Sequence, residues 1–221
     1  MSGKRTYGDA CGIARALDLL GERWALMIVR ELLLGPKRFT DLRAGLPNLS
    51  ADVLSQRLRG LEEAGIVERR TLPPPAPAKV YELTPAGLEL EPVLIALGRW
   101  GGTYAPSSAP ECGMSLDSHI LSLRTLFDPS LAEGFEGRVQ LDVAGTAFRA
   151  VVVDRELEIE YGTHDDPDAT VRADPRTLID VLHERRELEE ALEAGDLEIE
   201  GDEETARRFL RLAPLPQPVA A

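Results

Sequence analysis

"GPKRFTDLRAGLPNLSADVLSQRLRGLEEAGIVERR", Gly35 to Arg70, is the stretch that decides the fold of the first half of the chain. Gly35-Pro36 closes the helix before it, because Gly accepts a left-handed cap and Pro cannot continue a helix. A short helix is predicted around Phe39–Ala44, halted by Gly45 and Pro47. Ser50 reads as an N-cap, its hydroxyl accepting from a free first-turn amide, and Ala51–Ala64 reads as the helix it opens, ending at Gly65. Leu54, Leu58 and Leu61 stand at i, i+4 and i+7 and share one buried stripe. The face left over carries Asp52, Ser55, Gln56 and Arg59. Eight basic residues fall between Lys37 and Lys79, in a chain of net charge -13.

Upstream, Ile13, Ala16, Leu17 and Leu20 give residues 10–20 a helical period, with Gly21 as the stop. Trp24–Leu34 is apolar almost all round, broken by Arg30 and Glu31, so it should form the buried centre of its domain. Downstream, "IVERRTL" and "KVYEL" are short strands around "PPPAPA", whose successive prolines must project as a loop. Thr84-Pro85 starts a helix, with Leu90, Val93, Leu97 and Trp100 on one stripe and a kink expected at Pro92.

The 221 residues suffice for two domains, and the charge divides unevenly between them. Residues 1–101 carry 14 Lys+Arg against 12 Asp+Glu; residues 102–221 carry 11 against 26, a net of -15. "GGTYAPSSAPECG", Gly101 to Gly113, has the composition of a linker. Beyond it, "RVQLDVAGTAFRAVVVDRELEIEYG" alternates with period two, and "ATVRAD" and "GDLEIEG" are further strands. Helices are expected around Leu116–Phe127, Arg176–His183, Glu187–Ala194 and Glu203–Leu212. The class is therefore α+β: a winged helix-turn-helix domain over 1–104, a linker over 105–114, a smaller-sheet α+β domain over 115–213 with one sheet face covered, and a Pro-rich tail over 214–221.

Helix, tight turn, helix and hairpin suit duplex DNA, since the B-form major groove admits one α-helix. Gln56 can pair bidentately with adenine and Arg59 with guanine, while Ser50 and Ser55 can reach bases or phosphates. Lys37, Arg38 and Arg43 flank that helix, and Arg69, Arg70 and Lys79 lie on the hairpin, where phosphate contacts would supply affinity and register. Two other readings fit the same residues: a merely solvated helix face, and a helix-turn-helix that contacts protein.

From Cys11 to Trp100 the chain resembles the HxlR-type winged-helix regulators. The likeness is carried by Cys11, "LLGERWALMIVRELLLGPKRF", "VLSQRLRGLEEAGIVERR", "KVYELTPAG" and Trp100-Gly101. It implies a dimeric, DNA-binding transcription regulator, and it makes Cys11 a candidate redox residue. From Leu116 to Leu212 the chain resembles the sterol carrier protein-like domain, through "DPDATVRADPRTLIDVL" and "LEEALEAGDLEIEGDEETARRFLRL". That likeness implies an apolar cavity for a small ligand, with Phe127, Phe135, Phe148, Leu178, Leu182, Leu192 and Phe209 as candidate lining; each is equally a core residue.

No catalytic or metal-ligating pattern is present. His119, His164 and His183 lack metal spacing, and there is no Gly-rich phosphate loop or nucleophile elbow, so no cofactor and no enzyme activity are expected. No apolar run approaches the roughly 18 residues of a membrane span, and the first residues lack a signal-peptide core. With two cysteines, Cys11 and Cys112, a reducing cytoplasm is the expected compartment. The competing expectation is a lipid carrier whose winged helix serves dimerisation or protein contacts.

Overall fold

The structure, a computed structural model, describes residues 6–73, 77–104 and 114–215. The chain divides into two compact units, residues 1–94 and 95–221. The expected linker lies almost wholly outside the described residues, as do Cys112, most of the Pro-rich tail and the centre of "PPPAPA".

The first unit opens with α1 (Gly12–Leu20) and α2 (Ala25–Leu32). Ala25, Ile28, Val29 and Leu32 of α2 are buried, as its apolar circumference requires, although Met27 remains exposed. Trp24 is not helical: it precedes α2 with a left-handed φ of 81°. Next come α3 (Phe39–Gly45) and α4 (Ala51–Glu63). Ser50 caps α4, its Oγ accepting from Val53 N at 3.4 Å.

Two backbone bonds end α4, Gly65 N to Glu62 O and Ile66 N to Leu61 O, both 3.0 Å. Together they form a Schellman motif that needs a left-handed residue, and Gly65 supplies it at φ 69°. Leu54, Leu58 and Leu61 are 2% exposed or less and join α2, Leu42, Leu46 and Leu49 in one core.

Strands β1 (Val67–Thr71) and β2 (Lys79–Leu83) pair antiparallel. Lys37 bridges the outer edge of β2, exchanging two backbone bonds with Tyr81 at 2.8 and 2.9 Å, so the turn before α3 is tied to the hairpin. Thr84 caps α5 (Pro85–Leu88), and α6 (Glu91–Tyr104) begins in this unit and runs across its boundary after Leu94. Pro92 therefore starts a helix and does not kink one. In the first turn its missing N–H leaves no bond unmade, which removes the reason to bend. Leu90 departs from the expected stripe and packs on the core.

The second unit holds a five-stranded sheet in the order β5-β4-β3-β6-β7. Its strands are β3 (Gly137–Val143), β4 (Thr146–Val153), β5 (Glu156–Tyr161), β6 (Ala169–Ala173) and β7 (Leu197–Gly201). Only β3 and β6 pair in parallel. Val139, Leu141, Phe148, Ala150, Ile159 and Val171 turn one face inward and are fully buried or nearly so. The helices α7 (Leu116–Leu126), α8 (Pro175–Leu182), α9 (Leu188–Glu193) and α10 (Glu203–Phe209) supply the rest of that core. The opposite face is charged, with Arg149–Glu160 at 2.7 Å and Arg172–Glu200 at 2.9 Å. This is α+β with one face covered. Among the described residues no helix is long and apolar enough to cross a membrane.

Candidate nucleic-acid interface

Burial of three leucines fixes how α4 is rotated, and that rotation decides what it presents. With Leu54, Leu58 and Leu61 inward, Asp52, Gln56, Arg59 and Glu63 are exposed, while Ser55 is half-buried. Arg59 lies back along the helix, its Nε donating to Ser55 O at 3.3 Å. Ser50 is exposed at the N-terminus of α4, its hydroxyl engaged in the cap. Arg38 and Arg43 are exposed at the two ends of α3, and Lys79 is exposed on β2.

The basic residues separate into two groups. Arg38, Arg43, Arg59 and Lys79 form no ion pair among the described residues. The other four are engaged. Arg69 Nε sits 2.7 Å from Glu62 with its guanidinium 5.1 Å from the centre of the Tyr81 ring, and Arg70 is 3.1 Å from Glu82. Lys37 Nζ turns 3.6 Å from the fully buried Glu31, which Arg30 also contacts at 2.7 Å. Lys37 is thus placed inward, against the phosphate role expected of it, because Glu31 cannot stay buried without cations beside it. Arg57 bonds Arg23 O at 3.1 Å and Glu22 at 2.8 Å, holding α4 to the loop between α1 and α2. No local sequence signal marks Arg57 for this role, because its partners lie in a loop distant in sequence.

Apolar surface is concentrated on two helices of the N-terminal half. Ile13 (72% exposed) and Leu17 stand out on α1, and Val93, Leu97, Trp100 (63% exposed) and Tyr104 on α6. Cys11 is exposed and free at the start of α1, and its backbone N donates to Asp9 Oδ1 at 2.9 Å. Of the basic residues near it in sequence, Arg15 is exposed on α1, and Lys4 and Arg5 lie outside the described residues.

In the second unit Phe127, Phe135, Phe148, Leu178, Leu182 and Phe209 are buried and Leu192 is half-buried, as either a core or a cavity lining would be. A surface recess of about 480 Å³ opens beside the end of α7, and Phe127 is the one candidate that lines it. Burial lowers the pKa of His119, and that of His183 to about 4 with Arg185 adding to the effect. Among the described residues no three His, Cys, Asp or Glu side chains gather as a metal site would need.

Comparison with known proteins follows the same division. Residues 19–109 match the HxlR-like helix-turn-helix family, and residues 120–214 match the SCP-2 sterol transfer family, neither of them catalytic. The chain is 37% identical to the HTH-type transcriptional regulator sll1512 of Synechocystis, over 48% of this chain and 79% of that protein. It is 43% identical to the HTH-type transcriptional regulator YvaP of Bacillus subtilis, over 42% and 87%. The reduced form of the B. subtilis transcriptional regulator YodB aligns with a TM-score of 0.40 and 33% identity, over 46% of this chain and all of that one. The chain belongs to the HxlR-like helix-turn-helix family of transcription regulators, with a sterol-transfer-type domain following the helix-turn-helix.

Proposed function

We propose that the protein is a cytoplasmic, dimeric repressor or activator that reads a palindromic operator with α4. In this reading residues 1–104 bind DNA and dimerise, and residues 115–213 take a small apolar ligand that modulates binding. One observation carries the reading most: the core leucines of α4 turn Gln56 and Arg59 outward, with the uncommitted cations Arg38, Arg43 and Lys79 exposed on the same unit. Gln56 and Arg59, with Ser55, are assigned to base edges; Arg38, Arg43 and Lys79, with Ser50, to phosphate. Arg69 and Arg70 join the phosphate set once they exchange their carboxylates for DNA.

Dimerisation is supported by the exposed apolar side chains of α1 and α6, which an isolated protomer would leave in water. A two-fold pair reading successive half-sites sets its α4 helices about 34–36 Å apart, one turn of duplex. Footprinting on the DNA around the protein's own promoter tests the whole. A symmetric protected stretch and a dimer by sedimentation at micromolar concentration are expected. Absence of protection, with an apolar molecule co-purifying, would favour a lipid carrier instead.

A further inference from the structure

We infer that Asp52 is a base-discriminating residue of α4, selecting a base pair that offers an amino donor in the major groove, cytosine foremost. This rests on the DNA-reading function proposed above and deepens it. Asp52 is the second residue of α4 and is exposed, in line with Gln56 and Arg59 at i, i+4 and i+7. A reading helix brings its N-terminal residues to the base edges, and helical side chains lean toward that same end. Asp52 is therefore nearer the bases than either Gln56 or Arg59.

Its chemistry then restricts what it can meet. A carboxylate only accepts hydrogen bonds, and phosphate repels it, so Asp52 cannot serve as a backbone contact. In the major groove guanine presents only acceptors and thymine an acceptor and a methyl group. The donors are the amino groups of cytosine and adenine, and adenine sets the acceptor N7 beside its own. Cytosine has no such neighbour on its own ring. The carboxylate thus favours cytosine and rejects guanine.

Several acids of this unit are already engaged, while Glu63, Glu68 and Glu89, unpaired like Asp52 among the described residues, stand at the last turn of α4 or beyond it. Asp41 accepts from Arg38 N at 3.1 Å, Glu62 holds Arg69, Glu82 holds Arg70 and Glu22 holds Arg57. Asp52 makes no hydrogen bond or ion pair among the described residues. An acid in the first turn also favours the helix dipole. That role would stabilise α4, but it predicts no base preference.

The test is selection from a randomised duplex library with full-length wild type, Asp52→Ala and Asp52→Asn, with Glu63→Ala at the far end of α4 as control. Circular dichroism first establishes that each variant folds, and the near-isosteric Asn variant keeps the test alive if the Ala variant does not. Wild type should recover one position per half-site where cytosine is favoured on the order of tenfold. Asp52→Ala should lose preference there alone and bind random DNA more tightly, having shed a negative charge. Asp52→Asn should move that position toward adenine, and Glu63→Ala should leave the site unchanged. If Asp52→Ala and Asp52→Asn both select the wild-type sequence at every position, the assignment is wrong while DNA reading stands. If wild type selects no sequence, DNA reading itself falls, and the role of Asp52 with it.

Discussion

Replacing Glu62 or Glu82 by Gln should tighten DNA binding, although neither is itself assigned a contact to DNA. Glu62 holds Arg69 at 2.7 Å and Glu82 holds Arg70 at 3.1 Å, with both arginine side chains 55% exposed. Exposed pairs of this kind are worth about 0.2–1 kcal/mol, because water screens them and two long side chains must be fixed. A phosphate that takes either arginine must first break its pair. Each Gln variant removes that opposing energy, which corresponds to a dissociation constant about 1.4- to 5-fold lower. Deleting any negative charge near DNA also helps through the long-range field, so a control is needed. Glu68 supplies it: it adjoins Arg69 on β1, is exposed, and forms no ion pair among the described residues. Fluorescence anisotropy on one labelled duplex, at matched salt, compares Glu62→Gln and Glu82→Gln with Glu68→Gln. The two pair-breaking variants should exceed the control, and thermal stability should fall by no more than about 1 kcal/mol. Equal tightening by all three would mean that Arg69 and Arg70 never leave their carboxylates, and that the hairpin is not a phosphate contact.

Three further outcomes follow from positions elsewhere. A Cβ at Gly87 would lie 2.3 Å from Ile66 O, so Gly87→Ala should lower stability by about 1–3 kcal/mol; an unchanged denaturant midpoint would contradict that tight approach. Gly60 sits mid-helix in α4 with nothing within 4 Å of an added Cβ, so Gly60→Ala should raise stability by about 0.4–1 kcal/mol in urea unfolding, and no gain would contradict the open site. Burial, then Arg185, lowers the pKa of His183 from 6.5 to about 4, so the unfolded chain takes up a proton first as pH falls. Stability from this group is complete above pH 6.5 and lost between there and pH 4, and His183→Gln should flatten that slope in pH-dependent unfolding.

Much of the first domain was legible because its signals are local. Ser50, Gly65 and three leucines one helical face apart define α4 without reference to anything distant, and the Schellman bonds of Leu61 and Glu62 realise them. The failures share a different cause. Lys37 and Glu31 are separated by a turn, so charge counting assigns Lys37 to solvent while the fold turns it inward. Trp24 belongs to an apolar run that reads as helix, yet it takes a left-handed conformation that sequence signals reserve for Gly or Asn. Pro92 carries the same letter whether it opens a helix or bends one; only the break at Glu89–Leu90 decides, and the apolar period runs straight across it. In the second domain the strands were legible from alternation, but a core side chain and a cavity lining share one sequence signature, so Phe148 or Leu178 could not be assigned between them.

The pairing of charges also bounds how this family member can hold DNA. The excess of positive charge over residues 1–101 is only +2, against -15 beyond, so long-range attraction to a duplex is weak. Affinity must come from short-range contacts, and these are limited by the cations that are not already spent on the protein's own acids. Among the eight basic residues from Lys37 to Lys79, these are Arg38, Arg43, Arg59 and Lys79, four per protomer. Each phosphate neutralised contributes about -0.9 to the slope of log affinity against log salt, so a dimer using all four per protomer reaches about -7. With Arg59 on base edges, as proposed, three phosphate contacts remain per protomer and the slope lies between about -5 and -6. Recruitment of Arg69 and Arg70 would carry the slope past -7, so its measured value reports directly whether the hairpin arginines leave Glu62 and Glu82. A slope near zero would place the basic residues of α3 and α4 away from phosphate altogether. If α4 reads DNA as proposed, few unpaired cations on α3, α4 and the hairpin leave the distinction between one sequence and another to Asp52, Gln56 and Arg59.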